Sequence, residues 1–385
     1  MKTDSLLFYF TSMLITISIV FSMSLSVFTV LVENVSHYHF FIRQFIFGIF
    51  SIFLIWLISL IKVQYLTYIA ITVLIASAIA MLSMLFLPSS MVSVVKGASR
   101  WIKFPFFNIA PTEFFKIGFI YFIAWSFAKK LGDEKKNMWQ EGKLLFPYIM
   151  LFLPVAFFIA FIQNDLGQVV VLGVVLLFMS LFAGTSFKLI IASILSLSFL
   201  ATIFIITSDY RIARVKSWWG GIQDLVLSYL PANLTTKLHI EDATEPYQVK
   251  YSLNAINNGE LFGQGLGLGN FKLGYLSEVH TDFILAGITE EIGLIGVLGV
   301  IFIYIAILFR IFKIASRSID KTYQLFCLGI GFLLMFSLII NSYGITSIMP
   351  VKGIAVPFLS YGGSNLLASS IAIGFVLMIS KRARL

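Results

Sequence analysis

The chain has 385 residues, of which 59% are hydrophobic and 12% charged, with a formal net charge of +9 and a mean hydropathy of +0.96. So much apolar sequence in long runs excludes a soluble globular domain, and the basic residues fall in short clusters between those runs, where membrane orientation explains them without a nucleic-acid partner. The single cysteine, Cys327, lies inside an apolar run and excludes both an intrachain disulfide and a cysteine-rich metal site.

A bilayer core about 30 Å thick requires about 20 apolar residues per helix. The first run, 6–32, is about twice as long as a signal-peptide hydrophobic region and reads as a retained span. Further spans follow at 42–61, 66–88, 106–128, 145–162, 167–184, 187–207, 281–309, 323–348 and 364–380. The expected architecture is an all-α polytopic membrane protein of about ten transmembrane helices. It forms a single membrane domain over 1–385, with one large extracytoplasmic loop at about 208–280.

The short segments 129–143 and 310–321 are both basic, which places them and both termini on the cytoplasmic side. Segments 89–105, 208–280 and 348–363 then lie outside. The middle one, at roughly 70 residues, exceeds an ordinary connection and reads as functional or disordered. Within it Thr244, Glu245 and Pro246 mark a helix start, Val249, Leu253 and Ile256 share one face, and Asn258-Gly259 marks a stop. This predicts a short helix, either lying on the membrane surface or solvated without a special role.

Charges within spans cost at least about 2.5 to 3.5 kcal/mol on insertion scales, so each should pair, face a cavity or do chemistry. Glu113 and Lys116 are three residues apart on one helix and form either a structural ion pair or the wall of a polar cavity. Glu290 and Glu291 are the other such residues. From Asp282 onward a helix would align Asp282, Ala286, Thr289, Gly293 and Gly296 on a small, polar face, with Asp282 in the first turn. The preceding glycines Gly263, Gly265, Gly267 and Gly269 lack the strand that a dinucleotide loop needs and read as flexible turns. His37, His39, His239 and His280 show no metal-ligand spacing. Outside, Lys96, Arg100 and Lys103, then Arg211, Arg214 and Lys216, with Lys272 and Lys352, oppose the orientation bias. They suit either an anionic partner such as a lipid-linked phosphate or ordinary anionic headgroups.

The chain resembles the SEDS family (shape, elongation, division, sporulation), and its division branch more than its rod-shape branch. The motifs that carry the resemblance are Gly97-Ala98-Ser99-Arg100-Trp101-Ile102, Pro111-Thr112-Glu113-Phe114-Phe115-Lys116, Gln163-Asn164-Asp165-Leu166-Gly167, Lys272-Leu273-Gly274-Tyr275-Leu276, His280-Thr281-Asp282-Phe283, Glu290-Glu291-Ile292-Gly293, Pro350-Val351-Lys352-Gly353 and the run from Pro357 to Ser364. The family usually has proline at Asn164, threonine near Gln168, glutamine at Ala110, proline at Ser277 and serine at Asn365, departures that bear on the shape of those loops.

The resemblance implies a peptidoglycan glycosyltransferase of the bacterial cytoplasmic (inner) membrane that polymerises lipid II. It would work with a class B penicillin-binding protein and other division membrane proteins. By motif, Asp282 is the catalytic carboxylate, and Arg100, Glu113, Lys116, Lys272, His280 and Lys352 belong to the substrate cavity or to activity. A diphosphate leaving group needs positive charge and a sugar hydroxyl needs a base, and both are present. No cofactor is required by the sequence; a divalent cation could assist, but no ligand set demands one. The alternatives are a lipid II flippase, which would not need Asp282 as a base, and an elongation-type polymerase. The absence of repeat symmetry between the halves disfavours alternating access.

Overall fold

The computed structural model describes residues 3–383 except 89, 96–97, 105–106, 132–136, 208, 232–234, 236–238, 241–246 and 352. Each of the ten apolar runs forms a helix. In chain order the helices are α1 (Ser5–Leu25), the short α2 (Val27–Glu33), α3 (His39–Leu60), α4 (Leu66–Ser83), α5 (Pro111–Lys130), α6 (Met138–Phe157), α7 (Leu166–Phe182) and α8 (Phe187–Ile206). Then come α9 (Asp209–Leu227) and α10 (Tyr247–Gly259) in the long loop, followed by α11 (Ile284–Arg317), α12 (Lys321–Ile345) and α13 (Gly363–Ser380). Seven helices are long and apolar enough to cross a membrane by length and composition, and α7 and part of α8 are shorter apolar helices. The tenth, α5, carries Glu113 and Lys116 in its apolar sequence. The protein is thus an all-α polytopic membrane protein, as the hydropathy predicts.

Local chemistry sets the helix ends. Pro111 opens α5 with Glu113 in its first turn and Lys129 and Lys130 in its last, the arrangement that the helix dipole favours. Asn137 and Gln140 form a capping box at α6. Pro147 and Pro154 lie inside α6, which passes into a π turn at Phe158–Ile162. Helices α5, α12 and α13 are the most buried. Glycines allow their close approach: a Cβ on Gly118 would lie 2.7 Å from the Leu74 main chain, and one on Gly329 would strike Ile120 and Met179.

The bundle has two ends. At one, Asp4 caps α1 by accepting from Leu7 N–H at 3.0 Å, receives Arg310 Nε at 2.9 Å, and donates its own N–H to Ser380 Oγ at 3.2 Å. The start of α1 and the end of α13 therefore meet at the same end. The opposite end carries the long loop and a three-stranded antiparallel sheet of β1 (Val92–Val95), β2 (Ala98–Lys103) and β3 (Asn108–Ile109), with Ile102 opposite both Val92 and Ile109. Residues 89–105 carry no sheet signal in the sequence reading, and the fourth span starts at Pro111 instead of 106.

Two expectations need correction. At about 1.5 Å per residue, 34 residues of α11 would extend about 51 Å, far beyond the bilayer core. The helix is broken at Gly293 (φ 70°, ψ −177°), and Asp282 lies before the Phe283 N-cap, outside the first turn. Asp282, Ala286, Thr289, Gly293 and Gly296 therefore share no continuous face, and every residue of 284–291 is buried. The second correction concerns α10. It ends at Gly259 as expected, but its buried face is Val249, Ser252, Ala255 and Gly259, and Leu253 is exposed. This face packs on α11: Gly259 sits so close to the Thr289 carbonyl that a Cβ has no room. The helix thus rests on protein. Thr244, Glu245 and Pro246, the expected start, lie outside the described residues, as does Lys96.

Candidate active site

The broken helix explains the glycine run. A break leaves carbonyls and N–H groups without helical partners, which in a membrane protein must be satisfied by other chain. Here residues 260–265 do so: Glu290 O and Glu291 O accept from Gln264 N–H and Gly265 N–H, both at 2.9 Å, while Leu294 N–H donates to Glu260 O at 2.9 Å and Ile295 N–H to Leu261 O at 3.2 Å. Gly263 takes φ +82° and lies against the Glu291 carbonyl, a place only glycine fits.

Around this junction the buried carboxylates are held separately. Glu291 pairs with Lys272 Nζ at 2.6 Å, and Ser24 Oγ hydrogen-bonds to both, so the pair ties the long loop to α1 and α11. Glu290 Oε1 accepts from Asn258 Nδ2 at 3.0 Å, Asn270 N–H at 2.6 Å and Phe271 N–H at 3.1 Å. Lys272, 2% exposed, is enclosed in this junction and does not reach the cavities described below.

A second network joins the sheet to α5 and α7. Arg100 Nε lies 3.2 Å from Asp165 Oδ2, and its Nη2 donates to Asn164 O at 2.9 Å. Burial pushes the Asp165 carboxyl up from its ordinary value, and the Arg100 guanidinium pulls it back. Asn164 has φ 52°, a left-handed conformation closed to proline, so this loop differs in shape from one that carries the family's proline. Glu113 Oε2 and Lys116 Nζ pair at 2.9 Å, and Gln168 closes the ring, accepting from Lys116 at 2.6 Å and donating to Glu113 at 3.1 Å. Glu113 and Lys116 pair, and with Gln168, Ser337 and Asn365 they line a small polar cavity.

Beside it, sharing Ile354 as a wall, is a small hollow lined by Asp282, Asn341, Gly344 and Gly353. Asp282 is half-buried, and Gly353 (φ +63°) approaches closely enough that a Cβ there would lie 3.1 Å from Asp282 Oδ2. Lys352 lies outside the described residues. His280, 4% exposed, stacks edge-on with Phe40, and Thr29 Oγ1 lies 3.4 Å from its Nδ1. Burial pushes its pKa below the usual value, while Glu278 pulls it up. The structure thus brings Asp282 close to the Glu113–Lys116 cavity, places Arg100 at the Asp165 loop, and encloses Lys272 and His280. Among the described residues no group of three His, Cys, Asp or Glu side chains converges as a metal site would require. Sequence reasoning missed Asn341, whose only signal was an amide within an apolar run.

Residues 4–385 match the FtsW/RodA/SpoVE family, described as cell cycle protein. A probable peptidoglycan glycosyltransferase FtsW of Helicobacter pylori is 44% identical over 387 residues, covering 99% of each chain. Another of that name from Trichlorobacter lovleyi is 37% identical over 291 residues, covering 76% of this chain and 71% of that protein. Among solved structures, a chain from a study of the structural coordination of polymerization and crosslinking by a peptidoglycan synthase complex superposes with a TM-score of 0.72 at 20% identity, covering 98% of both chains. The rod shape determining protein RodA of Thermus thermophilus gives 0.66 at 20% identity, covering 100% of this chain and 98% of that one. At 20% identity the structural likeness speaks for the fold.

Proposed function

The chain belongs to the FtsW/RodA/SpoVE family of cell cycle proteins, and from that premise we propose that it is a division-type peptidoglycan glycosyltransferase that polymerises lipid II at the outer face of the bacterial cytoplasmic membrane. The observation that carries the chemistry is Asp282, a half-buried carboxylate on the wall of a hollow next to the polar Glu113–Lys116–Gln168 cavity. The orientation bias of the basic residues Lys129, Lys130, Lys143, Arg310, Lys313, Arg317 and Lys321 supports a cytoplasmic position for the bundle end that holds Asp4 and Ser380. The site end then faces out.

In this reading the C4 hydroxyl of an acceptor N-acetylglucosamine attacks C1 of the lipid-linked donor. The C1–O bond to the diphosphate breaks, undecaprenyl diphosphate leaves, and the hydroxyl proton passes to the Asp282 carboxylate. Attack on the α-linked donor with inversion yields a β linkage. Negative charge grows on the diphosphate, where Arg100 and Lys352 supply opposing charge. Glu113 and Lys116 form the polar wall, while Lys272 and His280 act from buried positions by holding the surrounding loops. The partner is a class B penicillin-binding protein, which crosslinks the strands.

Purified protein supplied with lipid II, with and without that partner, tests the reading. Glycan strands support it. Translocation of labelled lipid II across vesicles without strand formation would instead identify a flippase.

A further inference from the structure

No regular helix holds Asp282. It lies between Glu278, whose φ is +60°, and the Phe283 N-cap of α11; its N–H donates to Glu278 O at 3.1 Å within this turn, and further holds on the segment come from other elements. Three consecutive main-chain carbonyls supply the holds. His280 O accepts from Tyr361 N–H at 2.9 Å, Thr281 O from Ser360 Oγ at 2.7 Å, and Asp282 O from Asn341 Nδ2 at 2.6 Å.

Two of these donors are side chains, and each also engages the segment between α12 and α13. Asn341 Nδ2 donates to Ile354 O at 2.7 Å, and Ser360 Oγ accepts from Val356 N–H at 2.8 Å. Both are almost fully buried. The orientation of the Asn341 amide follows from its neighbours, since two carbonyls can be met only by its NH₂. Its Oδ1 is left buried without a hydrogen-bond partner among the described residues. The amide serves here through its N–H groups.

We propose that Asn341 and Ser360 are positioning residues for the glycosyl transfer, clamping the Asp282 main chain to segment 354–360 so that its carboxylate faces the hollow beside Gly353. This rests on Asp282 being the general base. A base must come within about 2.6 to 3.2 Å of the hydroxyl it deprotonates, and a displacement of about 1 Å can lower turnover about 10²-fold. The clamp acts at Asp282 itself and draws on α12 and the following segment, so it joins the base to the loop that carries Lys352.

The test is lipid II polymerisation by purified full-length Asn341→Ala, Asn341→Asp, Ser360→Ala, Ser360→Thr and Asp282→Asn proteins, each checked for monodispersity. Asn341→Ala and Ser360→Ala should lower kcat by about 10- to 10²-fold with little change in KM, and Ser360→Thr, which keeps the hydroxyl, should restore most of it. Asn341→Asp keeps the shape but replaces the donors with an anion next to Asp282, so the acidic limb of its kcat–pH profile should move to higher pH. Wild-type kcat in both alanine variants, or losses confined to KM, would overturn the clamp, as would an unshifted limb in an active Asn341→Asp. Should the Asn341 variants fail to fold, equal kcat for Ser360→Ala and Ser360→Thr overturns it. Full activity in Asp282→Asn removes the general base itself; an inactive Asp282→Asn beside unimpaired clamp variants removes only the clamp.

Discussion

Lys272 Nζ and Glu291 Oε1 meet at 2.6 Å with their side chains 3% and 0% exposed, across a separation of 19 residues. Removing one member of a buried pair strands the other charge, which costs about 3 to 5 kcal/mol. Lys272→Met should therefore lower the thermal stability of the detergent-solubilised protein, and Lys272→Met with Glu291→Gln should recover part of it. If Lys272→Met melts like the wild type but uses lipid II poorly, Lys272 contacts substrate after all.

The break in α11 gives a second prediction. Gly293 adopts φ 70° and ψ −177°, a region essentially closed to other residues, and a Cβ there would strike Gly263 N and Leu261 O. Gly293→Ala should destabilise by about 1 to 3 kcal/mol from backbone strain alone, and by more from the collision. Gly267→Ala, with φ +86° but open space around it, should cost less. Unfolding midpoints of the two variants decide whether the junction is as tight as described.

Hydropathy located the ten helices formed by the apolar runs because each spanning run must satisfy its own backbone in a helix, so composition and length suffice. Spacing likewise brought Glu113 and Lys116 together, since residues three apart on a helix are neighbours. Where the sequence reading failed, the cause was long-range pairing. Gly293 stands in an apolar run that reads as continuous helix, and its broken hydrogen bonds are satisfied by Glu260 to Gly265, about 30 residues upstream. The pairs Arg100–Asp165 and Lys272–Glu291 and the Asn341 contacts join separate elements, and no local period marks them. Asp282 was legible as a residue but not as a place: it was read into a helix that starts after it.

His280 makes stability depend on pH. Burial holds its pKa below the ordinary 6.5, so as pH falls through that value the unfolded chain takes up a proton before the folded one does. Its contribution to stability is full above that value and is lost as pH falls below it. Thermal melts from about pH 7.5 down to about pH 5 should show the wild type losing stability more steeply than His280→Gln. Parallel curves would show that the ring titrates normally.

Orientation is tested at two exposed positions at opposite ends of the bundle, Tyr229 and Trp139. Cys327 is fully buried, so a Cys327→Ser background should fold with little disturbance. In intact spheroplasts an impermeant maleimide should label Tyr229→Cys, and Trp139→Cys only after permeabilisation. The reverse pattern would put the Asp282 hollow in the cytoplasm, away from any growing wall.

Asp282→Asn is the decisive substitution. A carboxylate at the start of a helix can serve merely as an N-cap, worth about 1 kcal/mol, a role that asparagine fills equally well. In the structure the N-cap of α11 is Phe283, one residue further on, and Asp282 borders the hollow with Asn341 and Gly353, so the two roles are separated by this substitution. Asparagine keeps the size of the side chain and leaves the Asp282 carbonyl free to accept from Asn341, so folding and lipid II binding should survive. What it cannot do is take up the proton released by the attacking hydroxyl. Polymerisation by purified Asp282→Asn should fall by about 10² to 10⁴-fold, the usual worth of one acid-base group, while its melting midpoint and substrate binding stay near wild type. Glycan strands formed at close to the wild-type rate would show that the proton leaves by another route, and the base would have to be sought among the Glu113 and Asp165 carboxylates of the adjoining network.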